Sequence, residues 1–374
     1  MKKILVVVMS SLCLIQASAQ SSLSCAASLD TLYDLLKKLP SFRQQMKGDK
    51  GKEYAKIYTM ARQEAAGLSG SLQCFLLQSR LVLPLNDNHV FFYQRPELDY
   101  KYEQLKDPAY LEQWRQIPWY CDFPRVRLSL DSLKLVLSAK PADSLEGVYW
   151  YGNLLQAGLF RTEKKDSLVA VVLYSAMINW EPGQLAFILH EAGPDRLRAW
   201  HAQLVTKNFM LYRNERFVNG GLAKGGWKKD PGRKNFADIP PAEPKFSLNW
   251  LTNDIQYLRL GSFSTFPQSL KESGEFYERI RDSLTAGTLI LDLRNNGGGG
   301  FKASMKYLKM LKAFVKKGKI YALINQGTYS NAEQFAILLR REQHVLMLGQ
   351  TTDGTMAYGN NYGNTHYFGG GRLA

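Results

Sequence analysis

The stretch that most constrains this 374-residue chain begins at Thr288. Thr288-Leu-Ile-Leu-Asp-Leu293 is an apolar run broken only by Asp292, the pattern of a parallel strand buried on both faces. It stops at a loop, Arg294-Asn-Asn-Gly-Gly-Gly-Gly300, and a helical pattern follows over 301–317. A strand at 320–325, a turn, a helix at 331–341 and a strand at 345–348 come next. This alternation predicts parallel strands joined by right-handed crossovers, with Ile255–Leu260 as a further strand. A sheet of that kind brings the loop after every strand to one edge, where such folds bind ligands. Three loops should therefore converge: 294–300, 326–330 and 350–355.

The rest of the chain has a different texture. Over 28–83 the spacing is helical: Leu29, Leu32, Leu35, Leu36 and Leu39 share a face that ends at Pro40, and Tyr54, Ile57, Tyr58 and Ala61 repeat the pattern. From 146 to 219 short β-rich runs such as 167–174 and 184–189 alternate with turn residues, which predicts a small antiparallel barrel or sandwich. Residues 219–245 hold nine Gly or Pro and read as a linker or long surface loop. The expected division is a leader (1–19), a helical region (20–95), a β-rich insert (96–218), the linker (219–245) and an α/β core (246–374).

The converging loops carry the chemistry. The glycine loop offers backbone N–H groups at a helix N-terminus, suited to an oxyanion or a phosphate. Ser330 opens the next helix, and a hydroxyl facing backbone donors is what acyl transfer requires. Each part also has an ordinary reading. Ser330-Asn-Ala-Glu333 is a capping box that would cap any helix, and the glycines could form a turn without function. The glycine spacing fits neither a dinucleotide fingerprint nor a P-loop. No zincin motif, G-x-S-x-G elbow or zinc-type cysteine spacing occurs, so no metal and no cofactor is expected.

Taken together, Leu289-Ile-Leu-Asp292-Leu-Arg294-Asn-Asn296-Gly297-Gly298-Gly299 and, about 30 residues on, Asn325-Gln-Gly-Thr-Tyr-Ser330-Asn-Ala-Glu333 resemble the tail-specific (C-terminal-processing) serine peptidases, whose wider clan includes the tricorn core. Gly349-Gln-Thr-Thr-Asp-Gly354 resembles their G-E-x-T-x-G segment, and Leu85-Asn-Asp87-Asn-His89 the D-G-H segment ahead of their insert domain. The resemblance implies a crotonase- or ClpP-like α/β core with Ser330 as nucleophile. It implies an oxyanion hole from amides near Gly297 or Gly298 and at Asn331, with Glu333 and Asp292 in supporting places. The lysine that many members use as base falls here on Thr355, whose hydroxyl cannot take a proton near neutral pH. The tricorn-like branch uses a histidine, which makes His89 the candidate base; the alternative is a purely structural D-x-H segment. The usual PDZ insert lacks its Gly-Asp-x-Ile segment, so recognition of a free C-terminus is not expected.

Charge fits this reading better than a nucleic-acid binder. Lys2 and Lys3, the apolar run 4–15 and Ala17-Ser-Ala19 describe a secretory signal cut after Ala19, too short to span a bilayer. Its removal takes the formal charge from +15 to +13. Seven lysines and no acid lie in 302–319, where they read as the solvated face of an amphipathic helix. Export leaves Cys25, Cys74 and Cys121 in an oxidising compartment, and Cys25 with Cys74, flanking the helical region, is the first disulfide candidate. The expected protein is an exported serine peptidase acting on peptide or protein substrates, with no nucleic-acid partner and no transmembrane segment. A catalytically silent relative that binds peptides or apolar ligands, or an envelope protein acting through its β domain, are the alternatives.

Overall fold

The computed structural model describes residues 24–96, 107–114, 116–164, 166–193, 196–232, 237, 239, 242–356, 358, 365–369 and 371–373. The expected leader, 1–19, lies outside them. Helix α1 (Cys25–Lys38) buries Leu29, Leu32 and Leu36 completely. Its C-cap Leu39 is extended, as a residue before proline prefers, and Pro40 starts α2 (Pro40–Gln45). Helices α3 (Asp49–Ala65) and α4 (Ser71–Val82) pack back on α1, and the buried Tyr54 hydroxyl donates to the Leu81 carbonyl at 2.8 Å. A Cys25–Cys74 disulfide, Cα–Cα 5.7 Å, ties the start of α1 to α4.

Strand β1 (Phe92–Gln94) and the short helices α5 (Pro108–Trp114), α6 (Pro118–Cys121) and α7 (Leu130–Ser138) lead into an antiparallel meander. Its strands are β2 (Gly147–Tyr151), β3 (Leu155–Arg161), β4 (Ser167–Ser175), β5 (Leu185–Glu191), β6 (Leu197–Ala202) and β7 (Phe209–Glu215). A two-strand pair, β8 (Phe217–Val218) with β9 (Gly221–Leu222), follows. Leu222 and Trp227 are buried in the same core, and Lys228 pairs with Trp150 through both backbone bonds. The first part of the expected linker is thus folded against the meander.

The second sheet holds the expected parallel strands and adds an antiparallel edge strand, 246–252, beyond those expected. Strands β10 (Phe246–Thr252) and β11 (Ile255–Leu260) form an antiparallel hairpin, and α8 (Pro267–Ile280) leads into β12 (Thr288–Asp292). Helix α9 (Phe301–Phe314), β13 (Lys319–Ile324), α10 (Asn331–Arg340) and β14 (Val345–Gly349) complete the order β10-β11-β12-β13-β14, parallel from β11 onward. Leu289 and Leu291 of β12 are fully buried, beneath Tyr307, Leu308 and Leu311 of α9. Lys302, Lys309, Lys316, Lys317 and Lys319 face solvent, as the solvated-face reading requires.

The expectation of a small, separate β insert needs correction. Strands β15 (His366–Phe368) and β16 (Gly371–Leu373) return to the meander, giving one nine-stranded sheet, β15-β16-β1-β7-β6-β5-β4-β3-β2. An open β7 edge would leave a row of unpaired N–H and C=O groups, and β1 covers it. The sheet also shares one apolar core with the N-terminal helices, running from Cys25 to Phe368. The result is a mixed α/β fold: helices, a large antiparallel sheet and a mostly parallel sheet. No helix among the described residues is long and apolar enough to cross a membrane.

Candidate active site

The loops after β12, β13 and β14 do meet at one sheet edge, stitched together by side chains. The Asn295 amide donates to Asn325 Oδ1 (2.9 Å), the Tyr329 amide to the Asn296 carbonyl (3.1 Å), and Thr328 Oγ1 to the Leu293 carbonyl (2.7 Å). The third loop joins when the Gln350 amide bonds the Ile324 carbonyl at 3.0 Å. Asp292, fully buried below the glycine loop, accepts from the Arg294 amide (2.9 Å), Arg294 Nη2 (2.7 Å) and the Tyr257 hydroxyl (2.6 Å). Burial pushes its carboxyl up, but the Arg294 and Tyr257 hydrogen bonds outweigh that and hold it below its ordinary value. Asp292 therefore stays charged and fixes the first residue of the loop.

Ser330 occupies the N-cap of α10 with φ +57° and ψ −125°, a conformation that strains any residue with a Cβ. Its amide is clamped by two acceptors, Glu333 Oε2 at 3.0 Å and Thr355 Oγ1 at 2.6 Å. Glu333, 2% exposed, also accepts from the Gly354 amide (2.7 Å), the Thr355 amide (2.8 Å) and the Thr355 hydroxyl (2.6 Å). The capping glutamate and the threonine at the lysine position thus hold the serine in its strained geometry. This leaves the serine hydroxyl facing the cleft.

There it meets His89, whose Nε2 lies 3.2 Å from Ser330 Oγ although 241 residues separate the two. His89 is carried on a turn fixed by its own amide bond to Asp87 Oδ1 (3.1 Å) and by Asn88 Nδ2, which donates to the carbonyls of Asp353 (3.0 Å) and Gly354 (3.1 Å). Burial lowers the imidazole below its ordinary value, opposed by the charges of Asp87, Glu333 and Asp353. A neutral ring can accept a proton at Nε2 when Nδ1 carries the hydrogen. Nδ1 is buried and has no hydrogen-bond partner among the described residues.

The pair opens into a cleft of about 1160 Å³ between the two sheets. Gly297, Gly299 and Asn331 line it, and their amides have no acceptor among the described residues. The Gly298 amide is a correction to the expected oxyanion hole: it is donated to Asn296 Oδ1 at 2.9 Å. Gly298 contributes space instead. At φ +78° a Cβ would stand 2.7 Å from the Tyr329 carbonyl oxygen and 2.8 Å from the Asn331 nitrogen.

The model of peptidase family S41 matches residues 306–363, from α9 through the 350–355 loop. Over that segment the chain is similar to family S41. No curated protein matches it. Among solved structures, it is similar to a lipoprotein from Streptococcus agalactiae at 24% identity, covering 34% of this chain and 56% of that one, TM-score 0.26. It is similar to the photosystem II D1 C-terminal processing protease at 13% identity, covering 94% and 87%, TM-score 0.33. Similarity to the tricorn protease is 11% identity, covering 94% of this chain and 32% of that one, TM-score 0.36. The chain therefore spans just over half of the first of these structures and about a third of the last.

Around this sheet edge the structure brings together Ser330, His89, Glu333, Thr355, Gly297 and Asn331, while Asp292 sits beneath. Sequence reasoning missed four contributors. Asn88 ties the histidine turn to the 350–355 loop, and Arg213 of β7 donates to the Asp87 carbonyl. Asn296 fills the Gly298 amide, and Lys224, from the expected linker, pairs with Asp353. Asn88 and Asn296 lay within the quoted motifs and could have been read as turn-formers. Nothing local marks Arg213 or Lys224.

Proposed function

We propose that the chain is an exported serine peptidase cleaving peptide or protein substrates, with a crotonase- or ClpP-like α/β core. The supporting observation is the 3.2 Å approach of His89 Nε2 to the hydroxyl of a serine held at φ +57°. In this reading Ser330 Oγ attacks the peptide carbonyl carbon while its proton passes to His89 Nε2. The developing oxyanion takes hydrogen bonds from the Gly297 and Asn331 amides. His89 then returns the proton to the leaving amine, and water hydrolyses the acyl-Ser330 ester by the same route. The Cys25–Cys74 disulfide favours an oxidising compartment, and the basic, apolar and small-residue order of 1–19 supports export. Ser330→Ala should abolish hydrolysis of a denatured, fluorescently labelled protein; hydrolysis that survives it would overturn the assignment.

One observation favours a silent, peptide-binding relative. His89 Nδ1 lacks a hydrogen-bond partner among the described residues, so the imidazolium that acylation creates has the charges of Asp87, Glu333 and Asp353 nearby but no hydrogen bond there to orient the ring. A fluorophosphonate probe separates the readings, because a silent relative leaves Ser330 unlabelled while still binding peptide.

A further inference from the structure

The strained serine depends on the 350–355 loop, and that loop is fastened from the opposite side of the cleft. Thr355 holds the Ser330 amide, and Gly354 and Thr355 both donate to Glu333. Two residues earlier, Asp353 forms an ion pair with Lys224 Nζ, their side chains only 16% and 23% exposed. Arg216 Nη1 adds a 3.5 Å contact to the Thr351 carbonyl from the same opposite wall.

That wall is itself rigidly built. Glu215, at the end of β7 and fully buried, accepts from the amides of Arg216 (2.9 Å), Lys224 (2.9 Å) and Gly225 (2.7 Å). Its other neighbour is His201 Nε2 at 3.4 Å. Gly225 lies so close that a Cβ there would stand 2.3 Å from the His201 ring. The backbone of Lys224 is therefore fixed, and only its side chain reaches across. A long flexible lysine held at both ends loses rotamer entropy, which an isolated surface pair seldom repays. A partly desolvated pair spanning two sheets acts more strongly than a surface pair, because water screens it less.

We propose that Lys224 is a positioning residue for Ser330: by clamping Asp353 across the cleft, it holds the 350–355 loop in the register that fixes the nucleophile. This rests on Ser330 being the nucleophile, but the clamp also has a signature independent of reactivity. Without Lys224 the loop keeps its bonds to Glu333, Asn88 and Arg216 yet loses its one ion pair to the far wall among the described residues, so the Gly354 and Thr355 amides should open more often.

The test uses the full chain as wild type, Lys224→Met, Lys224→Arg, Asp353→Asn and the Lys224→Met/Asp353→Asn double variant. Amide hydrogen exchange over 350–356 and the rate of fluorophosphonate labelling are measured on each. The expected result is exchange at least 10-fold faster and labelling at least 10-fold slower in Lys224→Met. Lys224→Arg should stay close to wild type, and the double variant should be no worse than either single one. Wild-type exchange and labelling in Lys224→Met, or additive losses in the double variant, would overturn the clamp. An unlabelled wild type would instead refute Ser330 as nucleophile, and the exchange data would still decide whether the clamp exists.

Discussion

Thr355→Val probes the most unexpected contact of the site, the residue that stands where a base lysine would in many relatives. Valine keeps the shape but removes a hydroxyl that donates to Glu333 at 2.6 Å and accepts the Ser330 amide at 2.6 Å. Glu333 retains three donors, and the Ser330 amide retains Glu333 at 3.0 Å. The loss is thus one hydrogen bond to a buried carboxylate, about 1.5–3 kcal/mol, plus one of two acceptors on the serine amide. A residue held in a sparsely populated backbone region stores about 1–3 kcal/mol. The two quantities are of equal size, so the variant should let Ser330 relax out of its φ +57° geometry. We expect urea unfolding to show a loss of about 2 kcal/mol and fluorophosphonate labelling to slow by about 10–100-fold. Thr355→Ser, which keeps the hydroxyl, should recover most of both. Labelling of the valine variant at the wild-type rate, or a serine variant as slow as the valine one, would refute the reasoning.

Four further outcomes follow from the geometry. Because burial lowers His89 below its ordinary value, the base is neutral at pH 7, so labelling should be flat through neutrality and decline only as pH falls below the usual imidazole range. The same shift makes the folded state bind fewer protons than the unfolded one, so the histidine's contribution to stability is full above 6.5 and is lost as pH falls through the lowered value. Gly298→Ala places a Cβ 2.7 Å from the Tyr329 carbonyl oxygen at φ +78° and should cost about 2 kcal/mol or more in a thermal melt while abolishing labelling. Cys74→Ser opens a bridge that spans 49 residues and should lower stability by about 2–4 kcal/mol in denaturant titration under non-reducing conditions.

The sequence was most legible where period and motif agreed. The apolar run at 288–293, the glycines and the alternation of strand and helix that follows specify a parallel sheet with converging loops, and Ser330 lies there with His89 Nε2 3.2 Å from its hydroxyl. It was least legible where single contacts decide. Strands of three residues, such as Phe92–Gln94 and His366–Phe368, are too short for periodicity, so the meander reads as a separate insert although they complete its sheet. A serine at positive φ leaves no mark, since its strain comes from Glu333 and Thr355 acting together. Which glycine amide is free depends on where Asn296 points its oxygen, and spacing alone cannot tell. Lys224 was hidden among ordinary linker lysines because its partner lies 129 residues away.

Labelling with a fluorophosphonate, followed by peptide mapping, bears on the whole account at once. Wild-type protein at pH 7.5 should carry a single adduct on Ser330, and His89→Ala should react about 10²–10⁴-fold more slowly with its fold intact by circular dichroism. An adduct on another residue, or equal labelling of Ser330 with and without His89, would contradict the assignment of these two residues as nucleophile and base.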